Sequence, residues 1–418
     1  MKKKKKEKWY QKVYNQFFDH SEDDFHPKSS FSVLEVIFLI LISLVLGIVT
    51  GYFITKGNPS YIKSSHAAEI ITTYNDILDN YYGDIDEETL ADEAIKGMIN
   101  SLEDPYSNYL DRDIATSFKE KIDGSFTGIG IQVVEEDPYP QVIKVFDHSP
   151  AAQAGIQVDD YIIQVDGKKV NDSSKESLTD LIKGKEGSKV KITILRDDEE
   201  KEITVIRDQV ELDTVMSDFF VEGSNKIGYL KILTFSSNTA DQFSSQLKKL
   251  ENKEMDSLII DVRDNPGGHL KQTREILSLF FNKKTVLYQI ETKNKQQKIY
   301  SKSNDQRTYP VVILINENTA SASEILASCF QEKYKNCEVV GETSFGKGTV
   351  QKSENLSGGS TIKYTTQKWL TSSGKWLNHK GVVPDHKVSL LSEDEQDFFD
   401  EEDNQLQEAI QILKKESN

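Results

Sequence analysis

Hydrophobic positions along the chain change their spacing four times, and each spacing predicts a different architecture. Residues 31–54, FSVLEVIFLILISLVLGIVTGYFI, are apolar almost throughout and carry no charge from Val36 to Ile54. With its apolar flanks the stretch is long enough to span a bilayer as a single helix. Over 64–102 the apolar residues fall at helical intervals: Ile70, Tyr74, Ile77, Leu78 and Tyr81, then, after Asp86, Leu90, Ile95, Ile99 and Leu102. Pro105 in DPYSNYLD ends that pattern. From about 115 to 210 the pattern is one of strands and turns, and SKVKITILRDDEEKEITVIRD alternates as a hairpin with RDDEE as its turn. From 211 to 390 the apolar runs NKIGYLKIL, DSLIIDVRD, YPVVILIN and CEVVGET are separated by helical segments around 239–251, 270–281 and 322–334. Strands alternating with helices indicate a layered α/β domain. An acidic stretch, SEDEQDFFDEEDNQ, precedes a final amphipathic LQEAIQIL.

At 418 residues the chain has room for two or three domains. The expected fold class is multidomain α+β: an N-terminal membrane anchor with a helical segment, a β-rich domain with short helices, and an α/β layered core. The expected boundaries are 1–30 for a basic cytoplasmic segment, 31–54 for the transmembrane anchor and 55–114 for a helical domain. They continue with 115–210 for the β-rich domain, 211–390 for the α/β core and 391–418 for an acidic and helical tail. A net charge of −17 argues against nucleic acid as a partner. The one basic block, MKKKKKEKWYQK, lies ahead of the apolar stretch, where it would hold the amino terminus in the cytoplasm and put the rest outside. A cleaved signal would bring its apolar core nearer the start and follow it with a small-residue site, whereas GNPS follows here. An uncleaved, single-pass anchor in the cell membrane is therefore expected. Cys329 and Cys337 are close enough in sequence to pair and equally able to remain free thiols.

The β-rich region resembles a PDZ domain. Gly128-Ile129-Gly130-Ile131 stands where such domains have a loop whose backbone N–H groups bind a terminal carboxylate. SPAAQAGI followed by DDYIIQVDGKKV matches their short helix and the strands after it, except that Asp159 replaces the usual glycine. A free strand edge next to a nest of N–H groups suits capture of a peptide carboxyl terminus. On the residues alone, GIGI could also be a tight turn in an ordinary β-sandwich.

Chemistry is expected where VVILIN runs into ENTASASEILAS. A serine between a strand end and a helix start is exposed, next to amides able to stabilise an oxyanion. The same serines would serve equally as an ordinary N-cap. What favours chemistry is TSFGKGTVQ, with Lys347 between Gly346 and Gly348. A desolvated lysine loses its charge and becomes a base for a serine hydroxyl. His269 and His379 are the rival bases, neither in a triad-like setting, and no G-x-S-x-G elbow occurs.

DVRDNPGGHL, TASASEILAS, VVGETSFGKGTVQ and KGVVPD together resemble the carboxyl-terminal processing proteases, also called tail-specific proteases, and with the PDZ motifs and DPYSNYL the resemblance covers roughly residues 65–390. The resemblance implies Ser321 as nucleophile, Lys347 as base and Gln351 as the residue that orients the lysine. Residues 347, 349 and 351 would share one face of a strand. It further implies an oxyanion hole from the backbone N–H groups of Gly268 and Ala322, with glycine at 268 letting the substrate carbonyl come close. Arg196 in TILRDD is the candidate for a regulatory arginine in the PDZ domain. No metal or other cofactor is implied, and a homodimer through the amphipathic stretches 66–82 and 405–413 is. Thr319 stands where many members have serine, and the Ser-to-Lys spacing is one residue longer than usual in QEKYKNCE. The peptidoglycan-binding domain that often follows the family's core is not expected after residue 390.

The function expected is that of a membrane-anchored serine endopeptidase that holds the free carboxyl terminus of a protein substrate and cuts upstream with a Ser-Lys dyad. An inactive PDZ scaffold that only binds protein tails is the alternative.

Overall fold

The computed structural model describes residues 32–57, 65–170, 178–304, 306–391 and 403–416. The chain divides into two units, 1–87 and 88–418. The first contains two described helices, Val33–Gly57 and Ser65–Asn80. Its side chains from Leu34 to Thr50 are all exposed. Among the described residues no helix is long and apolar enough to cross a membrane. The expected transmembrane anchor is thus not supported by them, and the basic block 1–30 lies outside the described residues.

The second unit is built on a six-stranded sheet in the order Val215–Glu222, Asn225–Ile232, Ser257–Asp261, Val311–Ile315, Cys337–Gly341, His386–Lys387. The first pair is antiparallel and every later pair parallel. SLIID and VVILI are buried at every position, as strands covered on both faces must be. One face is covered by the helices Thr239–Asn252, Leu270–Ser278 and Ala322–Lys333, through Phe243, Leu247, Ile276, Leu277, Ile325 and Phe330. The opposite face takes the helix Asn404–Glu416 through Leu406, Ala409, Ile410 and Leu413. The apolar face of 405–413, expected to serve a dimer, is therefore spent on the chain's own sheet. Arg263 secures this attachment. It bonds Asp261 at 2.6 Å, Asp403 at 2.8 Å and Gln405 at 3.0 Å, all in a buried setting.

A second sheet joins Asn108–Leu110, Thr361–Leu370, Val286–Glu291 and Gln296–Tyr300, with Thr349–Asn355 also pairing Thr361–Leu370. The β-rich domain forms a separate antiparallel sheet, Ile131–Val134, Gln141–Val145, Tyr161–Val165, Lys189–Arg196 and Glu199–Ile206, over its own core of Val142, Ile162, Ile192 and Ile194. Its hairpin turn is tighter than RDDEE. Arg196 pairs with Glu199, and Asp197 and Asp198 both have positive φ, 53° and 60°, the geometry a two-residue turn requires to match strand twist. Asp159 adopts the left-handed conformation, φ 72°. Among the described residues neither cysteine forms a disulfide, and Cys329 is fully buried.

Candidate active site

Three loops meet at the carboxyl ends of the central strands. The first follows Ser257–Asp261 and carries Asn265-Pro266-Gly267-Gly268. Asn265 is fully buried; its amide donates to the Ile232 carbonyl at 2.7 Å and accepts from the Gly267 N–H at 2.9 Å. Its carbonyl accepts the Ala320 N–H and the Ser323 hydroxyl, both at 3.0 Å. The second serine of S-A-S is therefore a buried tie between loops. Gly268 has φ 146°, and a Cβ there would lie 2.3 Å from the Phe235 carbonyl oxygen. Glycine at 268 is thus also demanded by the neighbouring Phe235 backbone, a reason beyond the expected approach of a substrate carbonyl.

The second loop ends Val311–Ile315 and carries Ser321 at the start of the helix Ala322–Lys333. Thr319 turns its hydroxyl to the Val262 carbonyl at 2.8 Å, so threonine does here what a serine would. Ser321 has φ 56° and ψ −112°, a conformation costing about 1–3 kcal/mol for a residue other than glycine. Surrounding bonds hold it there. Its N–H donates to Glu324 Oε2 at 2.7 Å. Among the described residues the amides of Gly268 and Ala322 donate to no protein atom.

Gly346, Lys347 and Gly348 form the third loop. The fully buried Glu324 carboxylate reaches this loop too, accepting from Gly346 N–H at 2.7 Å, Lys347 N–H at 2.9 Å and the Ser344 hydroxyl at 2.6 Å. One carboxylate therefore fixes both the serine turn and the lysine loop. Trp369 Nε1 donates to the Lys347 carbonyl at 2.6 Å, and Trp376 Nε1 to the Gly348 carbonyl at 3.0 Å. Gly346 has φ 83°, and a Cβ would meet the backbone nitrogens of Lys380 and Gly381 at 2.8 Å. The flanking glycine is thus a packing requirement of the turn at 377–381.

Ser321, Lys347, Gln351, Gly267, Gly268 and His269 all line one cleft of about 580 Å³. Burial, foremost, and the Lys363 cation lower the Lys347 pKa below its ordinary 10.5, outweighing the opposite pull of Asp104 and Glu324. The Lys347 Nζ stands 4.9 Å from the centroid of the Tyr106 ring. The segment DPYS, which ends the helical pattern and belongs to the family resemblance, forms one wall of the lysine's environment. Asp104 accepts the hydroxyls of Ser107 and Thr365, both at 2.6 Å. Gln351 Nε2 donates to Thr349 Oγ1 and Thr365 Oγ1, each at 3.0 Å. The sequence reasoning missed Asp104, Tyr106 and Glu324, although Glu324 stands in the S-A-S-E motif itself.

Thr349, Gln351, Ser353 and Asn355 line the cleft from one face of their strand, and Gln351 bonds Thr349 along that face. Lys347 lies just before the strand, which begins at Thr349, and the register shift opposite Val350 and Gln351 leaves the extra residue, Thr366, on the partner strand. Gln351 thus reaches the cleft with its amide nitrogen donating twice. His269 lines the cleft and has its pKa lowered, chiefly by burial. His379 contributes its backbone N–H to the Gly346 carbonyl at 2.8 Å.

In the β-rich domain, Gly128, Ile129, Gly130 and Ile131 border a groove with Leu178, Thr179, Ile182 and Lys183. Ile129 itself is buried in the domain core, with its carbonyl accepting from Ala151 N–H at 2.8 Å. Ile131–Val134 is the edge strand of its sheet. Arg196 grips Asp160 through Nε at 2.5 Å and Nη2 at 2.7 Å, and the Gly155 carbonyl at 2.8 Å. It does not line the catalytic cleft, and its present bonds serve the PDZ sheet.

Comparison with known proteins accords with this architecture. Residues 226–388 match the model of peptidase family S41, 127–206 that of the PDZ domain, and 54–114 that of the activating protease CtpB N-terminal domain. The chain is 38% identical over 366 residues to carboxy-terminal processing protease CtpA of Bacillus subtilis, covering 85% of this chain and 78% of that one. It is likewise 38% identical over 347 residues to CtpB of the same organism, covering 82% and 71%. A solved structure of a photosystem II D1 C-terminal processing protease aligns at 25% identity with a TM-score of 0.45, over 76% of this chain and 86% of that one. The chain belongs to peptidase family S41 and is a carboxy-terminal processing serine protease with a PDZ domain.

Proposed function

We propose that Ser321 is the nucleophile and Lys347 its general base. The observation that carries this is a strained serine and a buried lysine of lowered pKa that open into one cleft, their loops tied by Glu324. In the reaction, neutral Lys347 takes the Ser321 proton as Oγ attacks the scissile carbonyl. The amides of Gly268 and Ala322 donate to the resulting oxyanion. Lys347 then gives its proton to the departing amine, and later takes one from the water that releases the acyl group. Gln351 orients the amine through its side-chain oxygen. The scaffold alternative would leave the strain at Ser321 without a use.

The substrate is a protein with a free carboxyl terminus, which adds as a strand along Ile131–Val134 with its carboxylate at Gly128–Ile131. Arg196 serves this coupling as a regulatory residue once substrate is bound. The helix that includes Val36–Ile54 anchors the chain in the cell membrane with its amino terminus cytoplasmic and the catalytic unit outside. A homodimer forms through the helix Ser65–Asn80, where Ile70, Ile71 and Ile77 are exposed. Mass spectrometry of a fluorophosphonate-labelled full-length protein tests the central claim. A single adduct on Ser321, absent from Lys347→Ala, is expected; labelling elsewhere with Ser321 untouched would overturn it. Fractionation tests the anchor: full-length protein in the membrane fraction is expected, and a secreted product beginning near residue 60 would refute it.

A further inference from the structure

The cleft contradicts the charge of the molecule around it. The chain carries a net −17, yet the residues lining the cleft include Lys119, Lys121, Lys347 and Lys363 and no aspartate or glutamate. Lys119 and Lys121 are exposed on the helix Arg112–Asp123, and Lys363 is half-buried on the strand Thr361–Leu370. Among the described residues none of the four lysines is in an ion pair. Asp123 is close enough to act on His269 at one side of the cleft, and three other nearby carboxylates are committed elsewhere. Glu120 pairs with Lys183 at 3.2 Å, Asp104 takes bonds from Tyr106, Ser107 and Thr365, and Glu324 is enclosed by its four donors. Lys363 Nζ lies 5.4 Å from the centroid of the Phe118 ring.

We propose that the cleft selects acidic segments: carboxylate side chains of the substrate, within a few residues of the scissile bond, dock on Lys363, Lys119 and Lys121. The proposal rests on the assignment of this cleft as the site of cleavage. An extended peptide laid past Ser321 brings its side chains against these walls, and a half-buried ammonium without a counter-ion gains most from a carboxylate that excludes water with it. Burial already lowers the Lys363 pKa against a weaker raising pull from Asp104, so a substrate carboxylate would restore the charge that the site disfavours. Basic segments are repelled, which gives selectivity by exclusion as well as by attraction. The PDZ groove and the cleft thus read different features, a terminal carboxylate and side-chain carboxylates upstream of it.

The test uses the full-length protein in detergent and three quenched-fluorescence peptides with the same free carboxyl-terminal tail. They differ only in carrying Glu, Gln or Lys at the positions flanking the scissile bond. The expected order of kcat/KM is Glu above Gln above Lys, with about a tenfold span that narrows as salt is raised. Lys363→Glu, and separately Lys119→Glu with Lys121→Glu, should reverse the order. Taking the ratio of two peptides within one enzyme cancels any change the substitution makes to the base or to folding yield. A flat or Lys-favouring order, or a ratio that neither charge reversal moves, overturns the selection while Ser321-dependent turnover of the Gln peptide still upholds the dyad. Turnover that survives Ser321→Ala overturns both.

Discussion

The catalytic cleft and the PDZ groove solve opposite problems with the same backbone groups. At the cleft many amides and carbonyls of the serine and lysine loops are already engaged, by Glu324, Asn265, Trp369 and Trp376. Among the described residues the amides of Gly268 and Ala322, proposed for the oxyanion, donate to no protein atom. At the groove an entire strand edge, Ile131–Val134, has no neighbouring strand on one side among the described residues. Attack on a carbonyl needs atoms held in place before the substrate arrives. Recognition of many tails needs an unfinished sheet that each tail completes. Rigidity is thus concentrated where bonds change, and unsatisfied edge where the partner varies.

The largest expected effect attacks the rigid region at its base. Lys347→Arg should lower kcat by about 10⁴-fold or more, because guanidinium stays protonated and cannot accept the Ser321 proton. Binding of a fluorescent carboxyl-terminal peptide, measured by anisotropy, should be nearly unchanged. Loss of both together would mean that the two regions are not separable. Lys347→Met should be equally inactive and more stable to thermal unfolding near neutral pH. The sign follows from the lowered pKa. The unfolded lysine binds a proton that the folded site resists, so the wild type is penalised below its folded pKa and the penalty fades as pH rises toward 10.5. A stability gap that does not close over that window would show that Lys347 is not titrating.

Breaking the clamp itself comes next. Glu324→Ala strands four donors and opens a buried space, and should cost about 3–5 kcal/mol of stability and about 10²-fold in kcat. Chemical denaturation and steady-state kinetics measure the two. Glu324→Gln, keeping the shape and one acceptor, should fall between. At the groove, amidating the substrate's carboxyl terminus should slow cleavage by about tenfold, read mainly as KM. Equal rates for acid and amide would mean that the groove does not capture the terminus. The smallest effect sharpens the lysine's surroundings. Lys363→Gln removes a neighbouring cation, so the Lys347 pKa should rise and the alkaline-rising limb of the kcat profile should move to higher pH. A limb that stays in place would assign it to another group.

How far the sequence was legible depended on whether a feature is written in one segment or shared between several. The core strands announced themselves as continuous apolar runs, and the helices at 239–252 and 322–333 by their periodicity, because burial on a known face leaves a local pattern. Lys347 between its glycines was visible for the same reason. Glu324 was overlooked because a glutamate in the first turn of a helix is ordinary, and only the folded chain shows that it also holds residues 344–347. Asp104 and Tyr106 were overlooked because their partners lie more than two hundred residues away at Lys347 and Thr365. The face of 405–413 was legible as amphipathic, but nothing in its period says whether it covers another chain or its own sheet. Alternation along 349–355 was legible, but that the strand starts only at Thr349, with Lys347 in the turn before it, was not.

The lysine loop also carries its own optical label. The chain has three tryptophans, Trp9, Trp369 and Trp376, and the latter two donate their indole N–H groups to the carbonyls of Lys347 and Gly348. Indole emission shifts with the polarity and bonding around the ring, so any motion that pulls this loop from its seat changes two of three emitters at once. In a form lacking the first thirty residues, tryptophan emission comes only from these two indoles, both bonded to the loop that carries Lys347. Stopped-flow emission could then time the arrival of substrate at the cleft without attaching a dye to the enzyme.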